Sequence, residues 1–209
     1  MIDVRELNEL ELDGLKEVAN IGAGHAATAL SQLTGRRIVV DVPALRILRL
    51  EEVPELTGDP EEVVAVVVMQ VLGDATGRTV QVFPAEAARA LAGILLGRPA
   101  AGPVTEFDEL QRSALKEAAN ILAGAYLNAL SEFLGMLLLT SVPAFAVDMA
   151  GALLTASQLS GGEPDDHVLC IDTLFRMDDR AEAVRGHFIL LPDRVALRII
   201  LRARGLARA

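Results

Sequence analysis

Glu17 and Asn20 stand three residues apart in LKEVANIGAG, Leu15 to Gly24, and the pair returns as Glu117 and Asn120 in LKEAANILAG, Leu115 to Gly124. The carboxylate is an anionic acceptor and the carboxamide both donates and accepts hydrogen bonds. No histidine or nucleophile repeats beside them. Ser113 would act as a nucleophile only with an oriented base, and none is apparent, so a surface or helix-start role is expected. NIGAG contains a GxG, but it lies inside a helical pattern without the strand-turn-helix context of a phosphate loop. His25, His167 and His187 have no partners at metal-ligand spacing, so no metal site is expected. The single Cys170 allows no internal disulfide and reads as a small core residue. Asp165-Asp166 and Asp178-Asp179 read as solvated loop charges.

The elements that must carry the pair are two long helices. Periodicity predicts one from about Leu7 to Leu33, stopped at Thr34-Gly35, and another from about Phe107 to Leu134, stopped at Gly135. At about 100° per residue, Asp13, Glu17, Asn20 and Gly24 fall in one narrow sector, as do Ser113, Glu117, Asn120 and Gly124. Small and apolar residues from Leu15, Ala19 and Gly22 to Leu33, and from Leu115, Ala119 and Leu122 to Phe133, lie nearly opposite and predict close packing. A polar stripe on one helix would ordinarily be a solvated face. Here Gln32/Glu132, His25/Ala125 and Thr28/Asn128 have diverged while Glu, Asn and their spacing agree.

The repeat extends beyond the helices. Residues 13–44 and 113–144 share fifteen identities in 32, including Gly35/Gly135 and Pro43/Pro143. VQVFPAEAARAL from Val80 corresponds to FILLPDRVALRI from Phe188. Each unit, about 1–100 and about 101–209, reads as helix, then strands, then helix, with RIVVDVPALRILRL, EVVAVVVMQVL and GRTVQVFP as the first strands. In the second unit AGALLTASQLS reads as an additional helix. The expectation is an α+β fold with a largely antiparallel sheet, built as one pseudo-two-fold domain over 1–209.

Composition excludes several classes. A net charge of −10, no Trp and one Tyr argue against nucleic acid. The longest apolar run, Val63 to Met69, is far short of the ~18 to 20 residues a membrane span needs. No basic, apolar or cleavable leader pattern opens the chain, so a cytoplasmic location is expected. Arg194, Arg198, Arg202, Arg204 and Arg208 crowd the tail and read as a solvated face.

Both helices fit the pattern Asp/Ser-x3-Glu-x2-Asn-x22-Pro, through Asp13, Glu17, Asn20 and Pro43 and through Ser113, Glu117, Asn120 and Pro143. This resembles the signature of the CheC family of chemotaxis phosphatases, over almost the whole chain. The resemblance implies a six-stranded sheet with the motif helices side by side on one face. It implies hydrolysis of the aspartyl phosphate of a phosphorylated CheY-type regulator, with Asn20 and Asn120 positioning water and Glu17 and Glu117 docking to a regulator lysine. No cofactor of its own is expected, and Mg²⁺ would sit on the regulator. The resemblance also suggests CheD as a partner, near Asp148, although Asp148 could simply cap a helix. The competing reading is a non-catalytic module that sequesters phospho-regulator or CheD.

Overall fold

The computed structural model describes residues 9–98, 102–103, 105–155, 167–177 and 183–193. The order is α1 (Glu9–Thr34), β1 (Ile38–Arg49), a 3-10 helix (Leu50–Thr57), β2 (Val63–Gly73), β3 (Gly77–Pro84), α2 (Ala85–Leu95), α3 (Glu109–Leu134), β4 (Leu138–Thr140), β5 (Ala144–Met149), α4 (Ala150–Leu153), β6 (His167–Met177) and β7 (Val184–Pro192). The Arg194–Arg208 tail, the closing helix of the second repeat and the Asp165-Asp166 and Asp178-Asp179 pairs lie outside the described residues. AGALLTASQLS is described to Thr155, over which it forms only the short α4.

Local chemistry sets the ends of the long helices. Asp108 caps α3 by accepting from the Gln111 N–H at 2.7 Å, while Gln111 Oε1 accepts from the Asp108 N–H at 2.9 Å. Ser113, expected at the surface or near the helix start, is an exposed residue of the first turns and does not cap. Gly35 and Gly135 end α1 and α3 at φ 65° and 66°, a left-handed conformation that glycine adopts without strain.

The strands form one antiparallel sheet in the order β1-β6-β7-β3-β2-β4, with β5 also paired to β2. Exchanging the two repeats reverses that order and leaves it otherwise unchanged. The first strand of each repeat pairs with the second strand of the other, Ile47 with Leu169 and Val147 with Ala65. The sheet has seven strands rather than the expected six, because one edge position is broken in two. Proline offers no N–H to a ladder. β1 passes Pro43 through a register shift between Asp41 and Ala44. At the equivalent point, 141–143, the second copy leaves the ladder altogether and separates β4 from β5. There Ser141 substitutes for regular pairing: its N–H donates to the Gln70 carbonyl and its Oγ accepts from the Gln70 N–H, both at 2.9 Å.

One sheet face carries the larger core. Ala65, Val67, Met69, Phe83, Ile171, Phe175 and Phe188 pack there beneath Val18, Ala19, Ala23, Ala26 and Leu30 of α1 and Leu115, Leu122 and Leu127 of α3. The helices run antiparallel, since a Cβ on Gly14 would lie 3.9 Å from the Phe133 ring and one on Gly22 would overlap Tyr126. Leu33 and Phe133, expected on the packing face, are 54% and 52% exposed at the helix ends. The opposite face holds a smaller core in which Leu50 and Val53, with Ala150 and Leu154, cover Val64, Val80, Val82, Val168 and Ile189. Leu50 was expected in a strand; it instead opens the 3-10 helix that buries it against this face.

Candidate functional site

Each long helix turns its apolar side to the sheet and to its neighbour, which leaves the other side outward. Asp13, Glu17 and Asn20 are exposed on α1, as are Ser113 and Glu117 on α3, with Asn120 half-buried. Among the described residues none of these six side chains has a hydrogen-bond or ion-pair partner. Their charge and amide groups are therefore available to something outside the chain. Ile21, 44% exposed, and the half-buried Ile121 stand next to the two asparagines and add an apolar margin.

Gly24 and Gly124 complete the stripes one turn beyond Asn20 and Asn120. Glycine in a helix interior costs about 1 kcal/mol relative to alanine. Neither position has a positive φ, and a Cβ at either would meet nothing within 4 Å. Packing therefore does not demand them, unlike Gly22, where a Cβ would lie 2.5 Å from Tyr126 Cδ1. Their physical consequence is a notch beside each asparagine.

Pro43 and Pro143 belong to the signature by spacing but not by location: they lie at the edge-strand irregularities described above. Asp148 does not cap a helix. It is an exposed residue of β5, Met149 occupies the N-cap of α4, and Asp148 Oδ1 accepts from the Met149 N–H. Directly paired residues share a face, so Asp148, opposite Val64, points to the face away from the motif helices.

The fold also gathers a cluster that spacing did not reveal. Cys170, Asp172 and His187 place their ligand-type atoms within 4.8 Å of one another. Asp172 Oδ1 lies 2.9 Å from His187 Nδ1, 3.9 Å from Cys170 Sγ, and 2.7 Å from Arg46 Nη2, which donates to it. Cross-strand pairing of Arg46 with Cys170 and of Asp172 with His187 produces the group. Burial raises the Asp172 carboxyl, but hydrogen bonds from Arg46 and His187 outweigh it and hold the group below its ordinary range. Burial first and the Asp172 charge second push the Cys170 thiol up to about 12, which keeps it protonated and unreactive. The register of β6 on β7 assembles this cluster and that of β1 on β6 adds Arg46, and sequence spacing supplies neither.

Comparison with known proteins fits this geometry. The CheC-like family profile matches residues 10–47 and 110–147, the two motif helices with their following strands. The chain is 33% identical over 194 residues to the CheY-P phosphatase CheC of Bacillus subtilis, covering 90% of each. It is 28% identical over 129 residues to the flagellar motor switch phosphatase FliY of Bacillus subtilis, covering 62% of this chain and 33% of that protein. Among solved structures, Thermotoga maritima FliY superposes with a TM-score of 0.78 at 23% identity, over 95% of this chain and 97% of that one, a likeness of fold. No helix among the described residues is long and apolar enough to cross a membrane. With the repeated signature on both outward helix faces and a relative this similar along nearly its whole length, the chain belongs to the CheC-like family.

Proposed function

We propose that this protein hydrolyses the aspartyl phosphate of a phosphorylated CheY-type response regulator, at two sites formed by Glu17 with Asn20 and by Glu117 with Asn120. The observation that carries the reading is the double occurrence of an outward, unpartnered Glu and Asn one helical turn apart. An acyl phosphate is already activated, and the regulator supplies the Mg²⁺ that neutralises its oxygens, so the added requirement is a water held in line with phosphorus. The Asn side chain meets it: Oδ1 accepts from the water while Nδ2 donates to the phosphoryl group or to the water. Attack forms the new P–O bond and breaks the bond to the aspartyl oxygen. Inorganic phosphate leaves as the dihydrogen ion, carrying the water's oxygen and both of its protons, and the regulator's carboxylate is restored.

The glutamates act before chemistry. Each pairs with a regulator lysine and fixes the helix edge so that the amide reaches the phosphoryl group. Gly24 and Gly124 leave clearance for the regulator's surface as that edge enters. Purified phospho-regulator in large molar excess over this chain tests the proposal. Release of many phosphates per chain is the expected result; binding without release would identify a sequestering module instead.

A further inference from the structure

Gln81 of β3 is 1% exposed, beneath the helices. Its Nε2 donates to the Ala119 carbonyl of α3 at 2.7 Å, and Ala119 immediately precedes Asn120. Its Oε1 is buried without a hydrogen-bond partner. A buried orphan carbonyl is costly, and an apolar residue at this place in the core would avoid it.

The second repeat answers differently. Ala65, third in β2, faces Phe83 of β3, and Leu169, third in β6, faces Leu190 of β7. Counting two residues back along β3 and β7 puts Phe188 where Gln81 would recur, one residue short of the Ile189 that the aligned sequences match to Gln81; Phe188 shares the helix-covered face with Gln81, whereas Ile189 lies in the smaller core on the other face. Gln81 and Phe188 are themselves paired across β3 and β7, so the pseudo-dyad passes between an amide and a phenyl ring. Phe188 packs on Tyr126, with centroids 4.8 Å apart, and has no group that could bond a helix carbonyl. The amide thus serves α3 and has no equivalent for α1.

We infer that Gln81 is a positioning residue for the second site, fixing the rotation of α3 on the sheet and with it the placement of Asn120. This rests on the proposed phosphatase reading. An Asn side-chain tip lies about 6 Å from its helix axis, so a turn of about 10° moves it about 1 Å. A displacement of that size can lower a positioned reaction by about 100-fold.

The test is Gln81→Met in the full chain, combined separately with Asn20→Ala and with Asn120→Ala, so that each background retains one site. Methionine keeps the shape, removes the orphan carbonyl, and leaves Ala119 its ordinary helical bond, so the variant folds with an unchanged or raised Tm. Expected are a fall in kcat of about tenfold or more where only the second site remains, and less than twofold where only the first remains. Amide exchange over 117–124 rises, while that over 17–24 does not. Equal losses in both backgrounds with a lowered Tm would reduce Gln81 to general stability, and no loss in either would equally overturn the inference. An Asn20→Ala, Asn120→Ala double variant that leaves regulator dephosphorylation unchanged would refute the phosphatase reading itself, and unchanged exchange over 117–124 would refute the positioning role independently of it.

Discussion

Gly22 of α1 and Tyr126 of α3 occupy space that allows no third atom: a Cβ on Gly22 would lie 2.5 Å from Tyr126 Cδ1 and 3.0 Å from its Cα. At the repeat-related positions, 122 and 26, stand Leu and Ala, both buried. At both repeat-related positions one helix thus carries a small residue and the other a large one. Tyr126 is further tied to the sheet by a 3.3 Å hydrogen bond with Thr173. Gly22→Ala is expected to destabilise by about 1–3 kcal/mol through overpacking, although alanine favours the helix by about 1 kcal/mol. Urea unfolding measures it, and a variant as stable as the parent would contradict this packing.

Gly24 and Gly124 should behave in the opposite way. With open space at both, Gly24→Ala and Gly124→Ala are each expected to stabilise by about 0.5–1 kcal/mol. Gln at both positions should also fold, yet weaken regulator binding by filling the notches. Titration of phospho-regulator against the double Gln variant decides this, and unchanged affinity would mean the notches are not used.

Glu17→Ala with Glu117→Ala should raise the Kd for the regulator by about tenfold or more, as loss of two charge-assisted contacts implies. Turnover at saturating regulator should fall less. A lowered kcat with unchanged Kd would assign the glutamates to chemistry rather than docking.

The Arg46–Asp172–His187 network makes a pH-dependent contribution of known sign. Asp172 titrates lower in the folded state than when unfolded, so its stabilisation is full above the ordinary carboxylate range and is lost as pH falls through the folded value. Asp172→Asn should therefore cost about 1 kcal/mol near neutrality, a figure kept small because the pair is partly exposed. The difference from the parent should shrink below about pH 4. Thermal unfolding of both proteins from pH 7 to pH 3 provides the check, and a gap that widens on acidification would reverse the assignment.

The helices and stripes were legible because helical periodicity is local and the repeat displays every position twice. Gly35 and Gly135 marked both C-termini correctly for the same reason. The break between β4 and β5 was not legible: Pro43 and Pro143 occupy equivalent places, yet one strand continues past the proline and the other does not. The 3-10 helix at Leu50–Thr57 was missed because its apolar residues, Leu50 and Val53, continue the preceding apolar run. Cys170, Asp172, His187 and Arg46 meet only through strand register between distant segments, as do Gln81 and Ala119. No spacing rule reaches such contacts, and histidines read singly gave no sign of them.

In the proposed reaction the repeated asparagines perform the chemistry. Its most direct test is the decay of phosphorylated CheY-type regulator with the parent protein and with Asn20→Ala combined with Asn120→Ala. Both substitutions are at outward positions without partners, so the fold should persist. Expected are accelerated decay with the parent, decay at the regulator's own rate with the double variant, and nearly equal binding by both. Full acceleration by the double variant would contradict that role.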